Sequence, residues 1–149
     1  MPARSLVRRA PGLVLRAGLI AAAALTVGAG RRPDDQDLLR RVNAEVNRSI
    51  RYEAEPPGQD VVRFGPRRGD CEDYAETKRI RLIAAGWPRR ALRVQSVSLR
   101  SGECHAVLVA ADAQGRRWVL DNRTSGVETV EQTGRRYSWD NCDGRDRGR

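Results

Sequence analysis

The sequence predicts an α+β domain in which a cysteine-bearing helix packs on a small antiparallel sheet. Three observations point there. A turn-and-cap signal, Gly69-Asp70, opens a helix with a cysteine in its first turn. Strand-like runs follow it in series, at residues 92–99, 106–110 and 117–120, with no helical stripe between them. A turn at Asp112-Ala113-Gln114-Gly115 joins the last two as a hairpin. A chain of 149 residues is one domain at most, and no internal repeat or second domain is visible.

Taken in order, residues 1–30 read as a secretory signal. They hold four arginines and no acidic residue, an apolar stretch from Ala17 to Ala29, and small residues at Gly28-Ala29-Gly30 suited to cleavage. The apolar core is short for a spanning helix, which needs about 20 residues, so any membrane contact runs through this segment alone, as an uncleaved anchor. Periplasmic or secreted placement follows from it. A domain is then expected over 31–142 and a disordered tail over 143–149.

A helix begins near Pro33-Asp34-Asp35, with Leu38, Leu39, Val42, Val46 and Ile50 recurring at three- and four-residue spacing. Asn43 and Asn47 lie one turn apart on it; they either bind backbone in an adjoining loop or face solvent, and solvent is the plainer reading. Residues 52–68 carry Pro56-Pro57-Gly58 and Gly65-Pro66 and read as a loop. In the next helix Gly69 supplies backbone freedom and Asp70 the N-cap. Asp73 completes a capping box, Ala75, Ile80, Leu82, Ile83 and Ala84 offer an apolar face, and Gly86 with Pro88 ends it. Residues 92–99 alternate as a half-buried strand does. Ala106–Ala110 is apolar throughout, as a central strand covered on both faces would be, and Val127–Val130 makes a short edge strand. With a four-residue turn at 112–115, residue i faces 227−i, which sets His105 opposite Asn122 and beside Asp121.

The chemistry-bearing residues are few. Cys71 stands at the positive end of a helix dipole, which favours a thiolate. His105 is the only histidine. Cys71, His105 and Asp121 together are the composition of a nucleophile, a base and a residue that orients the base. Three cysteines in an exported chain leave one unpaired, and pairing Cys104 with Cys142 would leave Cys71 free. A zinc site from Cys71, Cys104, His105 and Cys142 is the competing reading; adjacent Cys104-His105 is awkward for tetrahedral ligation, and there is no Cys-x-x-Cys. Basic residues outnumber acidic ones 28 to 19, but without residues 1–30 the net charge drops from +9 to +5. The remaining arginines are mixed with acids and few aromatics interleave with them, so nucleic acid is not the expected partner.

Gly69-Asp70-Cys71-Glu72-Asp73-Tyr74-Ala75, with Lys78-Arg79, Leu82 and Gly86, resembles the nucleophile motif of the bacterial transglutaminase-like cysteine peptidases. His105-Ala106-Val107-Leu108 and Leu120-Asp121-Asn122-Arg123 resemble that family's histidine and aspartate motifs, in the same order. Val42-Asn43, Val46-Asn47, Ile50 and Tyr52 are similar to its preceding helix, so the resemblance covers about residues 38–139. It implies a papain- and transglutaminase-like core with Cys71 as nucleophile, His105 as base and acid, and Asp121 as the residue orienting the imidazole. It also implies a protein substrate. The best-studied members are periplasmic, calcium-dependent LapG-type proteases that clip large surface adhesins, which implies a cell-surface adhesin as substrate and calcium on Asp70, Glu72 and Asp73, with no organic cofactor. An independent argument favours a cation, since three carboxylates around Cys71 raise its pKa unless offset. The chain departs from the family in a shorter segment between Tyr52 and Gly69, in lacking a tryptophan before the cysteine motif, and in Glu76, where an apolar or small residue is usual. The same thioester could pass to an amine in place of water, making a transglutaminase-type acyl transferase the near alternative, and a non-catalytic binding module of the same fold is the other.

Overall fold

The computed structural model describes residues 35–56, 61–140 and 142. The expected signal (1–30) and tail (143–149) lie outside the described residues.

The first helix, α1 (Asp35–Ser49), buries Leu39, Val42, Asn43 and Val46 on one face, as their three- and four-residue spacing requires. A two-residue strand β1 (Arg51–Tyr52) follows and pairs in parallel with β2 (Arg68–Gly69), setting Tyr52 beside Gly69. The intervening segment, read as loop from its prolines, thus begins and ends in a short ladder that delivers the chain to the next helix.

That helix, α2 (Cys71–Ala84), is capped by Asp70, whose side chain accepts from the backbone N–H groups of Glu72 and Asp73, while Asp73 accepts from the Asp70 N–H. Its end is a Schellman motif: Gly86 takes φ +91°, its N–H reaches the Ile83 carbonyl, and the Trp87 N–H reaches that of Leu82 at 2.9 Å. Two expectations need correcting. Gly69 is not in a left-handed conformation; it is required for space, since a Cβ there would stand 2.3 Å from Asp73 Oδ2. Ile80 and Ala84 face outward, and the buried stripe is Tyr74, Lys78 and Leu82 with Ala75 and Thr77. The four-residue step from Tyr74 to Lys78 to Leu82 puts the lysine on the apolar face despite its charge.

The sheet contains β3 (Leu92–Leu99), β4 (Cys104–Ala111), β5 (Arg117–Leu120), β6 (Val127–Thr129) and β7 (Tyr137–Ser138), in the order β6-β5-β4-β3-β7, all antiparallel. The apolar run lies in β4, the central strand, as expected. Val130, assigned to an edge strand by sequence, instead begins a single helical turn, α3 (Val130–Thr133), because Thr129 and Gln132 form a capping box.

The β4–β5 register differs from the expected one by a residue. Ala111 faces Arg117 and Leu108 faces Leu120, so i pairs with 228−i. Asp112 closes the hairpin through its N–H to the Arg116 carbonyl, and Gly115 takes φ +77° in a three-residue loop. The slip matters because one residue exchanges the faces of a strand. The observed register puts Asp121 on the same face as His105, Val107 and Val119; the expected one would have turned it away.

The sheet has an apolar layer on each face. On one, Leu108, Ala110, Trp118, Leu120 and Leu92 pack with α1 and α2 residues Leu39, Val46, Tyr74 and Leu82. On the other, Val97, Val107, Val109 and Val119 pack with Val130 and Tyr137.

Candidate active site

Cys71 is the first residue of α2, placed there by the Asp70 cap. Its sulfur accepts a hydrogen bond from the Ala106 backbone N–H, so the helix start abuts the strand at the residue after His105. Burial pushes the Cys71 thiol up to about 11, and the charges of Asp70 and Glu72 add to the rise against the hydrogen bond from Ala106. The dipole-favoured thiolate expected from sequence is therefore not the resting form. Desolvation and the flanking carboxylates outweigh the helix end.

His105 and Asp121 meet as the motifs require: His105 Nε2 lies 2.8 Å from Asp121 Oδ1, both residues buried. A carboxylate only accepts, so Nε2 carries the proton and Nδ1 holds the lone pair. Asp121 is held from several directions. The Arg123 N–H also donates to Oδ1, the Tyr137 hydroxyl donates to Oδ2, and Asn47 Nδ2 donates to the Asp121 carbonyl. Burial raises its pKa, but the hydrogen bonds from His105, Tyr137 and Arg123 outweigh that and hold it down at about 2.

Asn43 and Asn47 are not solvated. Asn43 Nδ2 bridges the carbonyls of Thr124 and Gly126, and Asn47 Nδ2 bridges those of Asp121 and Thr124, all between 3.0 and 3.1 Å. The two amides fasten the 121–126 loop to α1, one helical turn apart.

Cys104 and Cys142 form a disulfide and Cys71 is free. The pairing takes two of the four zinc candidates out of play, and with them the zinc reading.

Residues 23–146 match the sequence profile of the bacterial transglutaminase-like cysteine proteinases. The chain belongs to that family. No curated protein matches it. Among solved structures, Legionella pneumophila LapG in a calcium-bound form is 27% identical with a TM-score of 0.59, over 67% of this chain and 60% of that one. Two further LapG structures, one of them EGTA-treated, each show 26% identity and a TM-score of 0.58, over 68% of this chain and 61% and 59% of theirs. The chain thus spans about 60% of the LapG chain's length. The α+β fold with a cysteine-headed helix on an antiparallel sheet is the one the resemblance implied.

The acids flanking Cys71 supply the hard oxygen ligands that calcium takes. In their present arrangement they fit the ion only in part. Both oxygens of Asp73 face inward, accepting from the Arg63 and Asp70 N–H groups, and Asp73 is buried. Asp70 uses only Oδ1 for the cap. Among the described residues, no three His, Cys, Asp or Glu converge on a point that would hold a metal. Asp70, Glu72 and Asp73 would hold the ion, Asp73 only by exchanging these N–H contacts for it.

Two residues of this family member escaped the sequence reading of the site. Tyr137 was not assigned to it. Lys78 is fully buried, with no hydrogen-bond partner for Nζ among the described residues. Glu76, the unusual residue of the cysteine motif, is paired with Arg79 at 2.6 Å.

Proposed function

We propose that the chain is an exported cysteine protease that cleaves a protein substrate through Cys71, His105 and Asp121. The observation that carries this reading is the His105 Nε2–Asp121 Oδ1 contact of 2.8 Å, on the strand whose next residue donates its N–H to the Cys71 sulfur.

The raised Cys71 pKa makes the nucleophile a thiol at rest. His105 Nδ1 takes the Sγ proton as sulfur attacks the scissile carbonyl, and Asp121 stabilises the imidazolium through Nε2. The C–N bond then breaks, the amine leaves with the proton from His105, and the acyl group stays on sulfur as a thioester. Water attacks the thioester as His105 takes its proton; the C–S bond breaks and the sulfur regains a proton. In the first turn of α2, Glu72 and Asp73 give their N–H groups to Asp70 Oδ1, and Tyr74 gives its own to the Asp70 carbonyl. The Cys71 N–H is the one this cap does not engage; it lies against its own sulfur at rest and is the donor that would turn to the oxyanion.

Calcium bound by the acids flanking Cys71 would offset the part of the rise that the Asp70 and Glu72 charges add to burial. The Cys104–Cys142 disulfide supports a periplasmic or secreted location, where such bonds persist. A cell-surface adhesin, implied by the family resemblance, is the substrate to try first.

Because Cys71 is the one free thiol, alkylation of the native protein by iodoacetamide reports on it alone. Labelling followed by mass spectrometry should depend on His105 to take the thiol proton, slow markedly in His105→Ala, and change with chelator. Cys71→Ala should abolish substrate cleavage. Equal labelling rates in wild type and His105→Ala would remove the base from the mechanism, and cleavage by Cys71→Ala would remove the nucleophile.

A further inference from the structure

Asp121 offers two carboxylate oxygens, and the mechanism above uses one. Oδ1 faces His105, while Oδ2 accepts the hydroxyl of Tyr137. Tyr137 lies on β7, an edge strand that pairs with β3 at only two positions, Leu99 with Tyr137 and Ser98 with Ser138. So small a ladder holds a side chain poorly, yet Tyr137 is fixed on every side. Its ring centroid is 6.1 Å from that of His105 and 6.3 Å from that of Trp139, which meets it edge-on. The Arg136 guanidinium lies over it at 5.6 Å. Beyond it, Cys142 is bonded to Cys104, the residue preceding His105. The strand bearing the histidine and the segment bearing the tyrosine are therefore joined twice, by a covalent bond and through the shared carboxylate.

We propose that Tyr137 is a positioning residue for the His105–Asp121 pair, its hydroxyl fixing the carboxylate oxygen that His105 does not use. The inference rests on the protease reading for its catalytic consequence, though not for its geometry. A carboxylate held at one oxygen can rotate about its Cβ–Cγ bond and carry its hydrogen bond away from Nε2. Held at both oxygens, it presents Oδ1 to the imidazole in one orientation, which in turn fixes the tautomer that leaves Nδ1 basic. Burial and the neighbouring Asp121 charge push the Tyr137 hydroxyl up to about 12, so it remains a donor throughout the working pH range.

The test uses Tyr137→Phe, which removes the hydroxyl and keeps the ring, in the full chain with any affinity tag removed. The chain has a single histidine, so a low-field proton resonance from Nε2–H belongs to His105 without further assignment. In Tyr137→Phe that resonance should move downfield, because Asp121 loses a competing donor, or vanish into exchange, because the carboxylate now turns. Turnover should fall on the order of tenfold at unchanged KM, since substrate contacts are untouched. A resonance in its wild-type place with turnover within twofold would overturn the proposal.

If Tyr137→Phe does not fold, 3-fluorotyrosine placed at 137 keeps ring and hydroxyl and strengthens the donor. The resonance should then move upfield, and no movement would overturn the proposal just as firmly. Cys71→Ala, assayed alongside, separates the two readings. Cleavage that survives it sinks the protease mechanism, whereas the resonance test of Tyr137 stands or falls by itself.

Discussion

Lys78 is the chain's one lysine among 28 basic residues, and it is the one that is buried. Its Nζ sits 5.7 Å from the centre of the Tyr74 ring. Burial pulls its pKa down to about 7, with the Asp121 charge acting weakly in the other direction. An arginine could not shed its proton in that place; a lysine can. Between about pH 7 and the ordinary 10.5 the folded chain therefore binds fewer protons here than the unfolded chain, and stability rises with pH through that window. Lys78→Met should flatten the rise. Urea midpoints compared between neutrality and about pH 8.5 read it before Cys71, with its raised pKa, begins to pull stability the other way. Parallel curves for the two proteins would mean that Lys78 stays charged and solvated when folded. The residue was legible by position, since Tyr74, Lys78 and Leu82 share a helix face, but it was read only as part of the cysteine motif and not as a buried cation.

At the scale of elements, the helices were read well where apolar steps hold, as in α1, and where caps mark the ends, as in α2. The capping box of α2 and its glycine-terminated end were both visible in the residue types. What failed was context that no local signal carries. Asn43 and Asn47 gave no sign of the loop they would hold, because their partners are carbonyls some 80 residues later in the chain. The hairpin was seen, but whether Asp112 belonged to the turn or to the ladder was not decided by its composition, and the register slipped by one. His105 and Asp121 came together under either register through chain proximity alone, although only the observed one sets them on one face. Asn43→Ala removes one of two donors from each of the Thr124 and Gly126 carbonyls and should cost about 1–3 kcal/mol of stability, measurable by urea denaturation. Activity should fall with it, as the loop begins at Asp121. A loss under 0.5 kcal/mol, the range of an ordinary surface change, would mean that water replaces the amide.

For the whole molecule, three sequence motifs were enough to anticipate the fold, because a nucleophile helix, a histidine strand and an aspartate turn constrain how the elements between them can be laid together. The acidic set at α2 serves backbone N–H groups through Asp70 and Asp73, and in sequence such carboxylates look the same as carboxylates that hold a cation. The Cys104–Cys142 disulfide closes a span of 38 residues, and constraining the unfolded chain by that much is worth about 4 kcal/mol in the loop-entropy account. Reduction, or replacement of both cysteines by serine, should lower the urea midpoint accordingly. An unmoved midpoint would show that the two thiols do not pair in solution.

The strand order has a consequence in time. From β3 to β6 each strand lies beside its predecessor, so this meander can form as the chain emerges. By contrast, β7 must return past three strands to reach β3, and contacts so distant along the chain form late. A growing chain thus acquires its nucleophile, base and carboxylate before the clasp that steadies them. On the proposed reading, full cutting power would come only with the closing strand, leaving the nascent proteinase slow while it is still in the company of the machinery that makes it.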